Sequence, residues 1–335
     1  MISPCRTVWS SALVTLMLGC ARADLFAITE ASGTSGTSDA SGTSGASGTS
    51  GTSGTSGTSG TSGGAAGASP PICPAPALSA GDSTQTVQIG SVSRNFVLHV
   101  PRSYDGKRPV PLIVDLHGLG SSAMSELQSS PYPAVTDAEG VVIAFPDGLK
   151  GPLGSAWNLG PCCVANVDDV SFIRALVARV QGTACIDSRR VYAVGVLTGG
   201  GMVYDLACQT ADLFAAIAPA AFDLLQEDVD DCVPSRPITE ISFRGTSDPR
   251  VPYAGGPSSL VPGMPITFLG AKATFQRWAA INHCTGTASP EDDNGCASYS
   301  SCDAGVEVTL CTKQGGRDDP GNASVAWPVL RRHTL

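Results

Sequence analysis

Basic residues are in short supply in this chain: Lys and Arg total 20 against 29 Asp and Glu, for a formal net charge of −9. Without a basic patch there is no partner surface for nucleic acid or for an anionic membrane. Neither a Cys-x2-Cys pair nor a histidine cluster occurs, so no metal and no cofactor is expected. Only four histidines are present, His99, His117, His283 and His333, so the candidates for a general base are few. The pentapeptide Gly-x-Ser-x-Gly, which seats a serine nucleophile, occurs only as Gly60-Thr61-Ser62-Gly63-Gly64 inside a low-complexity repeat and is absent from residues 70–335. The apolar run Val8 to Leu18 is too short to span a bilayer.

Cysteine, by contrast, is plentiful. Twelve of them in a soluble chain suit an oxidising compartment, and the ten after residue 30 form an even number, as disulfides require. Cys208 is expected to pair with Cys232, and the adjacent Cys162 and Cys163 to bond to different partners. Export is also indicated at the N-terminus, where Arg6 precedes the apolar stretch, so residues 1–20 read as a signal peptide. Met17-Leu18-Gly19-Cys20 resembles a lipobox, with Cys20 as the lipidated residue; cleavage after Ala21-Arg22-Ala23 is the second reading. The expected location is extracellular or at the cell envelope, with any membrane contact made through that lipid. Residues 21–69 are dominated by Ser-Gly-Thr repeats with almost no apolar surface to bury, which predicts a flexible tether.

Residues 70–335 carry the folded domain. An early strand pair, Thr84–Ile89 and Asn95–Val100, is followed by apolar runs of strand length at Pro111–Leu116, Val141–Phe145, Val191–Val196, Phe214–Ala218, Ile238–Phe243 and Val306–Cys311. Helical patterns lie between them at Val167–Val180, Gly201–Cys208 and Ala271–Ile281. Continuous apolar strands alternating with helices predict an α/β fold with a mostly parallel sheet covered on both faces. Chemistry in such sheets gathers at the carboxyl ends of the strands.

One such end carries the central observation. Val191 to Val194 leads into Gly195-Val196-Leu197-Thr198-Gly199 and then a helical run, the layout of a nucleophile elbow with Leu197 at its apex. Leucine has no oxygen or sulfur with which to attack. Upstream, His117-Gly118-Leu119-Gly120 follows a strand and can aim backbone N–H groups into a site. Leu119 and Thr198 are the expected oxyanion-hole donors. Downstream, Gly245-Thr246-Ser247-Asp248 places Asp248 where the triad acid of this chain order belongs, although Asp before Pro249 is also a common turn cap. Trp157 is a candidate wall of the substrate pocket. Thr198 as a substitute nucleophile and His333 as its base form a secondary reading, weakened because Thr198 is one residue past the apex and His333 lies in a C-terminal segment expected to fray.

These residues, with Tyr104-Asp105, Trp157-Asn158, Val167-Asp168-Asp169-Val170, Ile186-Asp187-Ser188-Arg189-Arg190-Val191-Tyr192, Gly199-Gly200, Leu206-Ala207-Cys208, Val251-Pro252-Tyr253 and Trp327-Pro328, resemble the secreted polyhydroxybutyrate depolymerase and feruloyl esterase group of α/β hydrolases. The resemblance runs from about Cys73 to Pro328. It implies an ester, polyester or polysaccharide-linked ester as ligand, and the retained acid at Asp248. It puts the family's serine on Leu197. The family's Gly-Gly-Gly-His-x-Trp-Pro run falls either on Val325, matching Trp327-Pro328, or on Arg317 or Asp318, matching Gly315-Gly316; no histidine stands at any of them. Carboxylic ester hydrolysis is the family's activity, and two of the three triad positions are substituted here. The stretch Gly321 to Leu335 reads unlike a final helix.

Overall fold

The computed structural model describes residues 73–160, 162–261, 264–316 and 321–335. The leader, Cys20 and the Ser-Gly-Thr tether lie outside them, as do Arg317 and Asp318. Strands and helices in chain order are β1 Gly81–Ile89, β2 Val92–Val100, β3 Val110–Leu116, α1 Ala123–Ser129, α2 Tyr132–Thr136, β4 Val142–Pro146, β5 Leu149–Gly151, β6 Gly154–Ala156, β7 Asn158–Leu159 and β8 Cys162–Cys163. They continue with α3 Asp169–Gln181, β9 Ile186–Val196, α4 Thr198–Gln209, β10 Ala216–Ala220, β11 Thr239–Gly245, β12 Gly256–Val261, β13 Met264–Phe268, α5 Ala271–Ile281, β14 Cys296–Tyr299, β15 Val308–Lys313 and α6 Ala323–Leu330.

Nine strands form one sheet in the order β1-β2-β4-β3-β9-β10-β11-β15-β14. The six from β4 to β15 run parallel, and antiparallel strands flank them at both edges. The central strands are largely apolar and almost fully buried, because both of their faces are covered, although β11 carries Glu240 and Arg244 into the core. On one face, Phe172 and Leu176 of α3, Met202 and Val203 of α4 and Trp278 of α5 pack against the sheet. On the other, Ala123, Tyr132, Ala326 and Trp327 bring in α1, α2 and α6. This is the expected α/β-hydrolase fold.

The register aligns the carboxyl ends of the strands. Leu116 pairs with Gly195, Val196 with Ala220, and Gly245 with Lys313, so the loops after β3, β9, β10, β11 and β15 open on one edge. Among the described residues no helix is long and apolar enough to cross a membrane.

Five disulfides join all ten cysteines of the domain: Cys73–Cys185, Cys162–Cys163, Cys208–Cys232, Cys284–Cys302 and Cys296–Cys311. The Cys208–Cys232 pairing is as expected. The expectation for Cys162 and Cys163 is corrected, since they bond to each other. The C-terminus is corrected too: α6 is a helix despite Pro328, with Asn322 capping it by accepting from the Ser324 N–H at 3.1 Å.

Candidate active site

The turn from β9 into α4 is built by glycines that nothing larger could replace. A Cβ on Gly199 would stand 2.0 Å from the Leu116 carbonyl oxygen, and one on Gly200 would stand 2.6 Å from that of Ala220. Gly195 is equally confined, its Cβ position 2.8 Å from Gly199 backbone. The close approach they permit forces the residue between them into a sharp reversal. Leu197 has φ 53° and ψ −125°, left-handed backbone that a branched side chain avoids unless its surroundings impose it. Its N–H donates to Ala220 O at 2.9 Å and its carbonyl accepts from Gly201 N–H at 3.0 Å, which fixes the apex from both sides. The Leu197 side chain is half-buried and lies against the His117-Gly118 turn, with Cδ1 3.3 Å from where a Gly118 Cβ would be. The geometry of a nucleophile elbow is intact and an alkyl group occupies it.

Thr198 starts α4, where a helix N–H has no intrahelical acceptor. Its hydroxyl is fully buried with no hydrogen-bond partner, so it points into the protein and not toward the site edge. The loop after β3 holds the other candidate oxyanion donor. Gly120 N–H donates to Ser155 O at 2.8 Å and Ser121 N–H to Gly118 O at 3.1 Å, whereas the Leu119 N–H meets no acceptor among the described residues.

His117 is fully buried in this loop rather than lying on the surface. Its Nε2 accepts from the Gly148 N–H at 2.9 Å, so its proton is on Nδ1, which donates to Gly118 O at 2.7 Å. Burial holds its pKa below the ordinary histidine value, opposed by the Gly118 carbonyl and the charges of Asp147 and Asp169. Both nitrogens are occupied, which leaves neither to serve as a base. Trp157 is also fully buried: its Nε1–H donates to His117 O at 2.8 Å and the two rings lie 5.0 Å apart. It therefore supports the loop from behind and does not form the expected pocket wall. Its neighbour Asn158 is held by Asp169, which accepts the Asn158 N–H at 2.8 Å and pairs with buried Arg94 at 2.7 Å. Val167-Asp168-Asp169-Val170 thus has a structural role, since Asp168 also caps α3 through the Ser171 N–H.

The loop after β11 carries Asp248. Oδ1 accepts from the N–H groups of Arg250 at 2.8 Å and Val251 at 3.0 Å, the turn-capping role. Oδ2 is buried and has no hydrogen-bond partner. The loop is pinned to the end of β15 by Thr246 N–H to Lys313 O at 3.1 Å and Ser247 N–H to Gly316 O at 2.8 Å. Beneath it, fully buried Arg244 donates to Val251 O at 2.7 Å and pairs with Asp223. Burial raises the Asp223 carboxyl to about 6, with Arg244 opposing and the nearby Asp248 charge adding to the rise.

The remaining histidines are remote from Asp248. His99 lies on β2 between Asp82 and Asp137, and His283 is exposed beside Asp303. His333 does not fray: its Nε2 meets Glu307 at 2.8 Å and its carbonyl accepts from Tyr192 OH at 2.9 Å. Glu307 precedes β15, so His333 is at the opposite edge of the sheet from Leu197 and cannot be its base. Val325 lies in α6 and packs against the second core. Among the described residues no group of three or more His, Cys, Asp or Glu is arranged to hold a metal.

Fold, elbow, N–H-bearing loop and acid loop on one sheet edge define an α/β hydrolase. No family model matches the chain. It is 41% identical over 245 residues to feruloyl esterase B of Piromyces equi, covering 72% of this chain and 46% of that protein. It is 30% identical over 190 residues to a probable feruloyl esterase C of Aspergillus flavus, covering 54% of this chain and 66% of the relative. Among solved structures it is similar to an acetyl xylan esterase from Aspergillus awamori, with TM-score 0.55 and 13% identity over 74% of this chain and 99% of the other, a likeness of fold. The chain belongs to the feruloyl-esterase-like group of carboxylic ester hydrolases. It spans about half the length of the first of these relatives.

Proposed function

We propose that this chain is an exported, ester-binding relative of the feruloyl esterases in which hydrolysis is lost or strongly impaired. The single observation that carries this reading is Leu197 at the elbow apex, in the strained conformation that a nucleophile needs and with no atom that can attack. Three features support a retained ligand role. The Leu119 and Thr198 N–H groups remain available to polarise an ester carbonyl. The acid Asp248 keeps a free oxygen. The glycines that form the elbow are all present. Binding and triad chemistry are separable, so a site can keep the first without the second. Removing the serine or the histidine of such a triad costs about 10⁶ in kcat. Five disulfides support export, because they persist in oxidising compartments. Lipidation at Cys20, and an ester, polyester or polysaccharide-linked ester as the ligand, are further parts of the proposal.

The test is hydrolysis of p-nitrophenyl acetate and of methyl ferulate by the purified chain, with calorimetric titration of the uncleaved ester alongside. The expected result is turnover at the buffer rate together with saturable binding. Turnover clearly above a boiled control would sink the loss of hydrolysis, and an ester that is neither bound nor cleaved would sink the ligand role. The buried Thr198 hydroxyl and the remote His333 give the secondary reading no support.

A further inference from the structure

One turn past the elbow, α4 borders a cavity of about 470 Å³ that includes neither Leu197 nor Asp248. That volume is in the range of small-molecule sites. Its apolar walls are Leu159, Phe222 and Leu225. Gly201 makes the floor, because a Cβ there would meet the Phe222 ring at 2.7 Å and Leu159 Cδ1 at 2.8 Å. The Cys208–Cys232 disulfide ties the helix to the loop that closes the far side.

The polar groups of this cavity are unlike its walls. Asp205, Asp223 and Asp228 line it, and no Lys, Arg or His does. Asp223 is 1% exposed; its Oδ1 faces Arg244 in the core, and its Oδ2 has no hydrogen-bond partner. Burial, and then the charge of Asp228, raise the Asp205 carboxyl to about 6. Burial likewise raises Asp228, with Glu227 and Asp231 adding to it. The cavity therefore holds acceptors in excess of donors and negative charge in excess of positive, next to apolar surface that favours leaving water.

We propose that this cavity binds a small ligand with a flat apolar body and a primary ammonium head, the head seated among Asp205, Asp228 and the free oxygen of Asp223. An ammonium offers three N–H donors and one positive charge, which answers the unmatched acceptors and relieves the repulsion between the carboxylates. The apolar body covers Leu159, Phe222 and Leu225 and removes their surface from water. A carboxylate of the same shape meets like charges instead. This inference is independent of whether the elbow hydrolyses anything.

Three probes with the same 4-hydroxyphenylethyl body and different heads decide it on the full chain by calorimetry or ligand-observed NMR: tyramine, neutral 4-ethylphenol and 3-(4-hydroxyphenyl)propionate. Tyramine is expected to bind with Kd of about 1 mM or lower, with the neutral phenol about tenfold weaker and the acid weaker still. Asp205→Asn and Asp228→Asn should each weaken tyramine about tenfold and leave the phenol unchanged, since only the charged head loses a partner. Equal affinity for tyramine and the phenol, preference for the acid, no binding of tyramine, or tyramine binding that both Asn variants retain would each overturn the proposal. The probe comparison needs no variant, so it stands even if a substituted chain fails to fold.

Discussion

At the residue scale, the proposed reading makes Leu197 and Asp248 halves of one arrangement whose middle is missing. Asp248 keeps a buried oxygen with nothing to accept from, and a triad acid exists to orient an imidazole. Restoring the hydroxyl alone should therefore do little. Leu197→Ser is expected to raise p-nitrophenyl ester hydrolysis by about tenfold at most, because no base takes the serine proton. A rise of several thousandfold would mean that a base has been overlooked. The glycines beside it are constrained by space. In Gly199→Ala the new Cβ would fall 2.0 Å from the Leu116 carbonyl oxygen, backbone against backbone with no rotamer to relieve it. The expected cost is about 3 kcal/mol or more, read as a fall in the denaturant midpoint at unchanged m.

At the element scale, much was legible because periodicity reports burial. The covered parallel strands are mostly apolar runs, broken in β11 by Glu240 and Arg244, and α5 has the bounds its pattern indicates, Ala271–Ile281. Its neighbour α4 starts three residues earlier than the pattern suggested, at Thr198, because three consecutive glycines disfavour a helix in isolation. Contact with Leu116, Ala220 and Phe222 imposes it instead, and such contact is invisible in a local window. The same holds for α6: Pro328 argues against a helix, yet Trp327 donates to Glu139 at 3.1 Å and Arg331 pairs with it at 2.7 Å, across nearly the whole domain. At the site, the sharp strand-to-helix turn at Leu197 and the turn-capping role of Asp248 could be read from motif. The burial of Trp157 could not, because an aromatic beside a loop reads alike in front of a pocket or behind it. Disulfide pairing was mostly beyond sequence, and its consequences differ by loop. Cys73–Cys185 spans 112 positions and holds the first described residues to the start of β9. In the loop-closure account, replacing both cysteines by serine should cost about 5 kcal/mol, against about 3 kcal/mol for Cys296–Cys311 with its separation of 15. Guanidinium unfolding of the two double variants checks the order; an equal or reversed loss would show that local packing dominates.

At the scale of the whole molecule, an excess of buried carboxyls sets the response to pH. Glu240, fully buried in β11 and accepting from Tyr204 OH at 3.1 Å, is raised to about 8, chiefly by burial. Burial likewise raises Glu126 to about 7, and Asp205 and Asp223 to about 6. Each of these groups in the folded chain keeps a proton that the unfolded chain releases near pH 4. Their contribution to stability is fully present below that value and is lost as pH rises through the folded pKa. His117 works in the opposite sense, since burial lowers its pKa. Its contribution is complete above about pH 6.5, its unfolded value, and is lost as pH falls through the lower folded one. Glu307, whose pKa is lowered by its bonds to His333 and Arg332 against the opposing effect of burial, acts only at more acidic pH. Between about pH 6.5 and 8 the raised carboxyls are thus left to titrate, Glu240 after Glu126, Asp205 and Asp223. The slope there is roughly 1.4 kcal/mol per pH unit for each proton difference. Growing net negative charge pushes the same way, through self-repulsion of the compact state. Melting temperature is therefore expected to fall steadily from pH 6.5 to 8, and Glu240→Gln to flatten the fall by removing the charge that must be buried. A melting temperature that rises across this window, or a slope that Glu240→Gln leaves intact, would mean that Glu240 is already ionised in the native core. The Tyr204 hydroxyl would then be its stabilising donor.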